Sequence, residues 1–161
     1  MKIISQSRKA TCNLGRLLVS ELLKTAFASL KQALVVGLEG DLGSGKTLFV
    51  QAMARELQIK EEITSPTFVI LKRYKIETKQ KSRFKYLYHI DCYRINKSED
   101  LMGLGFKEIL NNPHNIIAIE WAEKVKKILP KNTLWLKFRH KGGNKREIIL
   151  SYHPTKPLTN S

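Results

Sequence analysis

Apolar residues recur at helical spacing through residues 11–30. Leu14, Leu17, Leu18, Leu22 and Phe27 share one face, and Thr11 stands where an N-cap is expected. The apolar run Leu34-Val35-Val36 opens a buried strand expected over 34–39. A glycine-rich stretch follows it, and residues 47–58 again carry one apolar face, made of Phe49, Val50, Met53, Ala54 and Leu57. Pro66 rules out a helix interior at 64–67, because it lacks an amide donor and biases Ser65 towards extended backbone. Residues 68–76 and 84–91 are expected as two strands around a polar hairpin tip. Ser98 is expected to cap a short helix running through Leu110, with Glu99 and Asp100 at its positive end. Residues 115–121 form another buried strand. Gly142, Gly143 and Asn144 mark a hairpin between strands 134–140 and 146–152. There is no internal repeat. Strands alternating with helices, plus antiparallel hairpins, predict an α/β domain with a mixed parallel and antiparallel sheet.

The 161 residues fit a single domain, expected over 1–153, with 154–161 as a flexible C-terminal tail. No apolar run is long enough to span a membrane, and the first residues lack the apolar core of a signal peptide, so a cytoplasmic protein is expected. Cys12 and Cys92 suggest neither a disulfide framework nor a zinc site. The net charge changes the picture more. Lys+Arg number 29 against 14 Asp+Glu, which gives +15. Such an excess favours acidic partners such as nucleic acid, or else reflects a lysine-rich solvated surface.

The chemistry begins after the 34–39 strand. Gly40-Asp41-Leu42-Gly43-Ser44-Gly45-Lys46-Thr47 satisfies the phosphate-loop pattern G-x-x-x-x-G-K-[ST] in full. Glycines let backbone amides close on an anion, and the helix that follows points its positive end at the same place. Lys46 is placed to reach the β- and γ-phosphates and Thr47 to offer its hydroxyl to magnesium. Two acids, Asp91 and Glu120, end apolar strands and should emerge near this loop. At least one is expected to serve the metal. His89 is expected to be structural. Arg94 could contact phosphate or form a surface ion pair, and Trp121 is expected in the core or at an interface. The hydroxyls of Thr64, Ser65 and Thr67 form either a nucleotide-sensing loop or a simple turn.

Residues 96–99, Asn-Lys-Ser-Glu, only imitate a guanine-recognition motif and do not support GTP specificity. A small P-loop kinase would carry an arginine-rich lid, and arginines are sparse here. An ATP-switched nucleic-acid-binding module agrees with the charge but lacks an aromatic-and-basic motif.

Taken together, GDLGSGKT, TSPTF, YHIDCYR, GLGFKEIL, IIAIEWAEK and the later LP resemble the TsaE (YjeE) family of small bacterial P-loop ATPases, from about residue 7 to 152. The resemblance implies a P-loop NTPase-like three-layer domain. It further implies a magnesium-dependent ATPase that supports threonylcarbamoyladenosine formation at position 37 of tRNA. The implied partners are a TsaD-type threonylcarbamoyl transferase and a TsaB-type protein, with tRNA close by. By this similarity Leu42, Gly43, Ser44, Gly45, Lys46 and Thr47 hold the phosphates of ATP. Thr47 and Glu120 are the Mg2+ ligands and Asp91 is the essential second acid. Lys46, Asp91 and Glu120 make up the catalytic set. Thr64 and Thr67 belong to the nucleotide-sensing loop. The segment from Arg8 to Thr11 and the hairpin at Lys145 and Arg146 flank the base. Ala122 stands where the family often has proline, and the strong basic charge is not explained by the resemblance.

Overall fold

The computed structural model describes residues 1–24, 31–66, 68–77 and 82–152. Strands β1 (Lys2–Ser5), β2 (Leu34–Glu39), β3 (Leu71–Lys75), β4 (Tyr86–Asp91), β5 (Asn115–Glu120), β6 (Leu134–His140) and β7 (Arg146–Tyr152) form one sheet in the order β1-β7-β6-β2-β5-β4-β3. The centre is parallel, with β2 between β5 and β6, and β4 beside β5. Both flanks are antiparallel, through β6–β7–β1 on one side and β4–β3 on the other.

Most residues of the central strands are apolar because both of their faces are covered, and the buried acids come at their carboxyl ends. Leu34, Val36 and Leu38 of β2 and Ile116 and Ala118 of β5 pack on one side. Helices α1 (Arg8–Lys24) and α2 (Lys46–Glu56) cover that side with Val19, Leu22, Phe49, Val50 and Met53. Val35, Ile117 and Ile119 face the other way. There they meet Leu101 of α3 (Ser98–Met102), Phe106 of α4 (Phe106–Asn111) and Val125 of a 3-10 helix (Ala122–Ile128). The result is a three-layer α/β domain of P-loop NTPase type. Among the described residues, no helix is long and apolar enough to cross a membrane.

Several local expectations need correction. Helix α1 begins at Arg8 and is capped by Ser7, whose Oγ accepts from the Ala10 amide at 3.1 Å. Thr11 lies one turn inside, fully buried, so it is not the cap. The single helix expected from Ser98 to Leu110 is two helices, broken at Gly103-Leu104-Gly105, where glycine weakens helix formation. The strand expected from residue 68 starts only at Leu71. The turn begun at Pro66 continues to Ile70, with Pro66 O accepting from both the Val69 and Ile70 amides and Ile70 left-handed at φ 65°. β1 and the 3-10 helix have no counterpart among the expected elements. Phe27, part of the hairpin tip and the 154–161 tail lie outside the described residues.

Candidate functional site

The carboxyl ends of β2, β4 and β5 meet at one edge of the sheet, and the loop 40–45 leaves β2 there to enter α2. Gly40 has φ 142°, and a Cβ at that position would sit 2.4 Å from the Phe138 carbonyl oxygen, so the loop can cross β6 only with glycine. Gly45 precedes α2 at φ 107°, which turns the chain so that the first amides of the helix open into the cleft.

Lys46 is 4% exposed. Its Nζ donates to the carbonyls of Gly40 at 2.6 Å and Asp41 at 2.9 Å, and lies 4.0 Å from the centroid of the Trp121 ring. Burial lowers its pKa below the usual lysine value, against the opposing charges of Glu120, Glu123, Asp91 and Asp41. A cation so placed gains from a nearby anion, and the cleft beside it can receive one.

Register places the two acids side by side, since Asp91 pairs with Glu120 across β4 and β5. Each is 3% exposed. The Thr47 hydroxyl donates to Glu120 Oε2 at 2.9 Å, and His89 Nε2 lies 2.8 Å from Glu120 Oε1. Both oxygens of Glu120 are therefore positioned. Asp91 Oδ2 accepts from the Ser65 hydroxyl at 2.7 Å and Oδ1 from the Tyr93 amide at 2.9 Å. Thr47 and Glu120 are hard oxygen donors of the kind that hold magnesium together with phosphate and water.

These groups line a cleft of about 460 Å³. Of the residues expected at the site, the cleft gathers Leu42, Gly43, Gly45, Lys46, Thr47, Asp91, Glu120 and Arg146, together with Arg8. Arg146 grips the loop from the side, through Nε to the Ser44 carbonyl at 2.9 Å and Nη1 to the Asn144 carbonyl at 2.8 Å. The Ser44 hydroxyl is buried, with no hydrogen-bond partner among the described residues. Four expected residues are not among those that line the cleft: Ser44, Thr11, Thr64 and Lys145. Thr11 is fully buried and pairs with Ser5 Oγ at 2.8 Å. Thr64 is exposed and accepts from Lys72 Nζ at 3.1 Å. Lys145 sits exposed on the β6–β7 turn. Thr67 lies outside the described residues.

Ser65, Tyr93 and Trp121 also line the cleft. Trp121, expected in the core or at an interface, is left-handed at φ 57° and faces Lys46 and the ring of Tyr93 at 5.3 Å. The His89–Glu120 contact had a signal in the H-x-D spacing, because period two puts His89 and Asp91 on the same face of β4. Ser65 stands among the loop hydroxyls in the sequence, but its pairing with Asp91, 26 positions away, has no local signal. The Arg94 guanidinium stacks 4.7 Å over the Phe68 ring and is not among the residues lining the cleft.

Residues 5–148 match the sequence model of the family described as Threonylcarbamoyl adenosine biosynthesis protein TsaE. The tRNA threonylcarbamoyladenosine biosynthesis protein TsaE of Treponema pallidum is 36% identical over 151 residues, covering 94% of this chain and all of that protein. The protein of the same description from Bacillus subtilis is 38% identical over 130 residues, 80% of this chain and 75% of the relative. The crystal structure of Bacillus subtilis YdiB superposes with a TM-score of 0.68 at 28% identity, covering 94% of this chain and 84% of that one.

Proposed function

This chain belongs to the TsaE family and acts in the biosynthesis of threonylcarbamoyladenosine in tRNA, and from that premise we propose that it does so as a magnesium-dependent ATPase. The observation that carries the proposal is the contact of 2.9 Å between the Thr47 hydroxyl and Glu120, beside a complete phosphate loop. The donor set fits magnesium–ATP. The loop amides and Lys46 would hold the phosphates, with Lys46 exchanging its two carbonyl acceptors for phosphate oxygens. Thr47 and Glu120 would hold the metal, which when bound neutralises charge on the transferring phosphoryl group. His89 fixes the Glu120 carboxylate from behind. Asp91, held by Ser65 and the Tyr93 amide, would orient an attacking water. Arg146 keeps the loop in shape.

The TsaD-type transferase and TsaB-type protein are proposed as the partners that this hydrolysis serves. Leu42 on the rim of the cleft is 81% exposed, Tyr93 is 48% exposed, and the neighbouring Phe68 is 84% exposed. Apolar side chains left in water at a rim favour burial against another protein.

The test is equilibrium ATP binding with magnesium and with chelator, followed by phosphate release with and without the two partner proteins. Lys46→Ala should lower turnover by about a hundredfold or more, the scale of removing one group that stabilises charge in the transition state. Turnover of Lys46→Ala equal to the wild type would overturn the assignment. Phosphate appearing on an acceptor nucleotide instead of in solution would favour the kinase alternative.

A further inference from the structure

The ATP cleft leaves most of the basic charge unexplained, and a second groove on the molecule concentrates part of it. Side chains alternate along β6. Leu134, Leu136 and Phe138 enter the core under α1 and α2, so Trp135, Lys137 and Arg139 point to the opposite face. Register extends that face onto β7, where Ser151 lies opposite Trp135 and Ile149 opposite Lys137. The 3-10 helix and the turn after it rise beside the two strands and wall off a groove of about 540 Å³. Lys126 and Lys131 stand on the wall, while Trp135 and Lys137 lie on the floor. The Lys126 ammonium is 5.4 Å from the Trp135 ring centroid. Of the acids near this face, Glu39 is engaged by Lys137 and Glu147 by Lys2, Arg139 and Lys141, while Glu123 on the 3-10 helix lies within electrostatic range of Glu39 and Lys137. No residue lining this groove also lines the ATP cleft.

A half-buried indole on the floor of a groove flanked by lysines has the chemistry that recognises an unpaired nucleic-acid strand. The ring offers a face for a base, and ammonium groups track the phosphates on either side. The chain's +15 charge adds long-range attraction for a polyanion. We infer that the groove between the 3-10 helix and the β6–β7 ribbon binds an unpaired stretch of RNA, with Trp135 stacking on a base and Lys126 and Lys131 contacting phosphates. Charge complementarity decides the occupant. An apolar peptide would have to desolvate these lysines, whereas an RNA strand replaces its counterions with them. RNA binding in this groove does not depend on ATP hydrolysis in the cleft.

The experiment uses the full chain and a labelled single-stranded RNA of about a dozen nucleotides, the length range of single-strand sites. Binding is followed by fluorescence anisotropy across a salt titration. Lys126→Gln/Lys131→Gln should weaken binding about tenfold or more at low salt. It should also flatten the slope of log affinity against log salt by about 1.4, because each single-strand phosphate that a lysine neutralises accounts for about 0.7 of that slope. Trp135→Leu should weaken binding about tenfold and leave the salt slope unchanged, as expected when a base no longer stacks. Lys85→Gln/Lys107→Gln removes the same charge from exposed positions before β4 and on α4 and should change affinity less than twofold. ATP binding should be unchanged in Lys126→Gln/Lys131→Gln and in Trp135→Leu, which separates this result from any failure of the ATPase reading. Three outcomes overturn the inference. One is wild-type protein that does not bind the RNA at low salt. Another is an equal loss in the Lys85→Gln/Lys107→Gln variant. The last is polyglutamate binding as tightly as RNA and being lost in the same groove variant, which would reassign the groove to an acidic protein.

Discussion

Glu120 and Asp91 sit in equivalent places, at the ends of adjacent strands and equally buried, yet their surroundings assign them different work. Glu120 has one oxygen on the Thr47 hydroxyl and the other on His89. That oxygen shared with Thr47 is where a hard cation would be held. Asp91 is held instead by Ser65 in the loop after α2 and by the Tyr93 amide. It is tied to the loop that follows α2. Glu120→Gln keeps the shape and removes the charge that magnesium requires. The magnesium concentration for half-maximal ATP binding should rise, and ATP affinity should fall with it. Asp91→Asn should leave ATP binding within a few-fold and lower turnover by about a hundredfold, the lower end of what a positioned acid–base group contributes. ATP binding and hydrolysis measured for both variants across a magnesium titration check this. The reverse pattern would show that the two roles are exchanged.

At the scale of elements, the antiparallel ribbon β1–β7–β6 is stapled by one carboxylate. Glu147 on β7 is 2% exposed. It meets Lys2 of β1 at 2.8 Å, Arg139 of β6 at 3.4 Å and Lys141 at 3.5 Å. The hydrogen bond from Lys2, followed by the charge of Lys141, holds its pKa below the ordinary glutamate value of 4.5. A carboxylate whose pKa is lower in the folded chain stabilises the fold above the unfolded value, and that stability is lost as pH falls through the folded one. The melting temperature of Glu147→Gln should therefore lie below the wild type near neutral pH, and the gap should close below pH 4.5. A gap that persists unchanged into acid would remove the carboxylate from the account. The same ribbon shows what a sequence makes legible. β6 and β7 are legible with their observed ends, because alternating side chains and a Gly-Gly turn mark them locally. β2 is equally plain, as an apolar run before the glycine-rich loop. β1 is not, since four residues are too few for a period and it exists only by pairing with β7. The site divides in the same way. Lys46, Thr47, Asp91 and Glu120 are visible as a motif and as strand ends, which are local features. Ser65 on Asp91 and Trp121 on Lys46 are not visible, because those contacts join segments that only the folded sheet brings together.

In the molecule as a whole, the phosphate-loop cleft rests on one of the two cores, and the link between them runs through Phe138. Its ring meets Phe49 of α2 edge-on, with centroids 5.6 Å apart, and its backbone carbonyl closes the space beneath Gly40. The phosphate loop and the helix that follows it thus share one buried support. Leu34 belongs to the same core and is 1% exposed, but it begins β2, at the far end of the strand from the loop. Truncating either residue leaves a cavity in a close-packed interior. The expected loss is about 3–5 kcal/mol for Phe138→Ala and about 2–5 kcal/mol for Leu34→Ala. Function should separate them. With its floor removed, the loop samples conformations in which its amides no longer converge, so Phe138→Ala should weaken ATP binding several-fold at a temperature where the protein remains folded. Leu34→Ala should destabilise by a comparable amount and bind ATP as the wild type does. Chemical denaturation gives the stabilities, and equilibrium ATP binding well below both midpoints gives the affinities. Equal weakening in the two variants would mean that the loop responds to the stability of the domain in general. Weakening in Phe138→Ala alone would locate the coupling between core and cleft at the contact of β6 with Gly40.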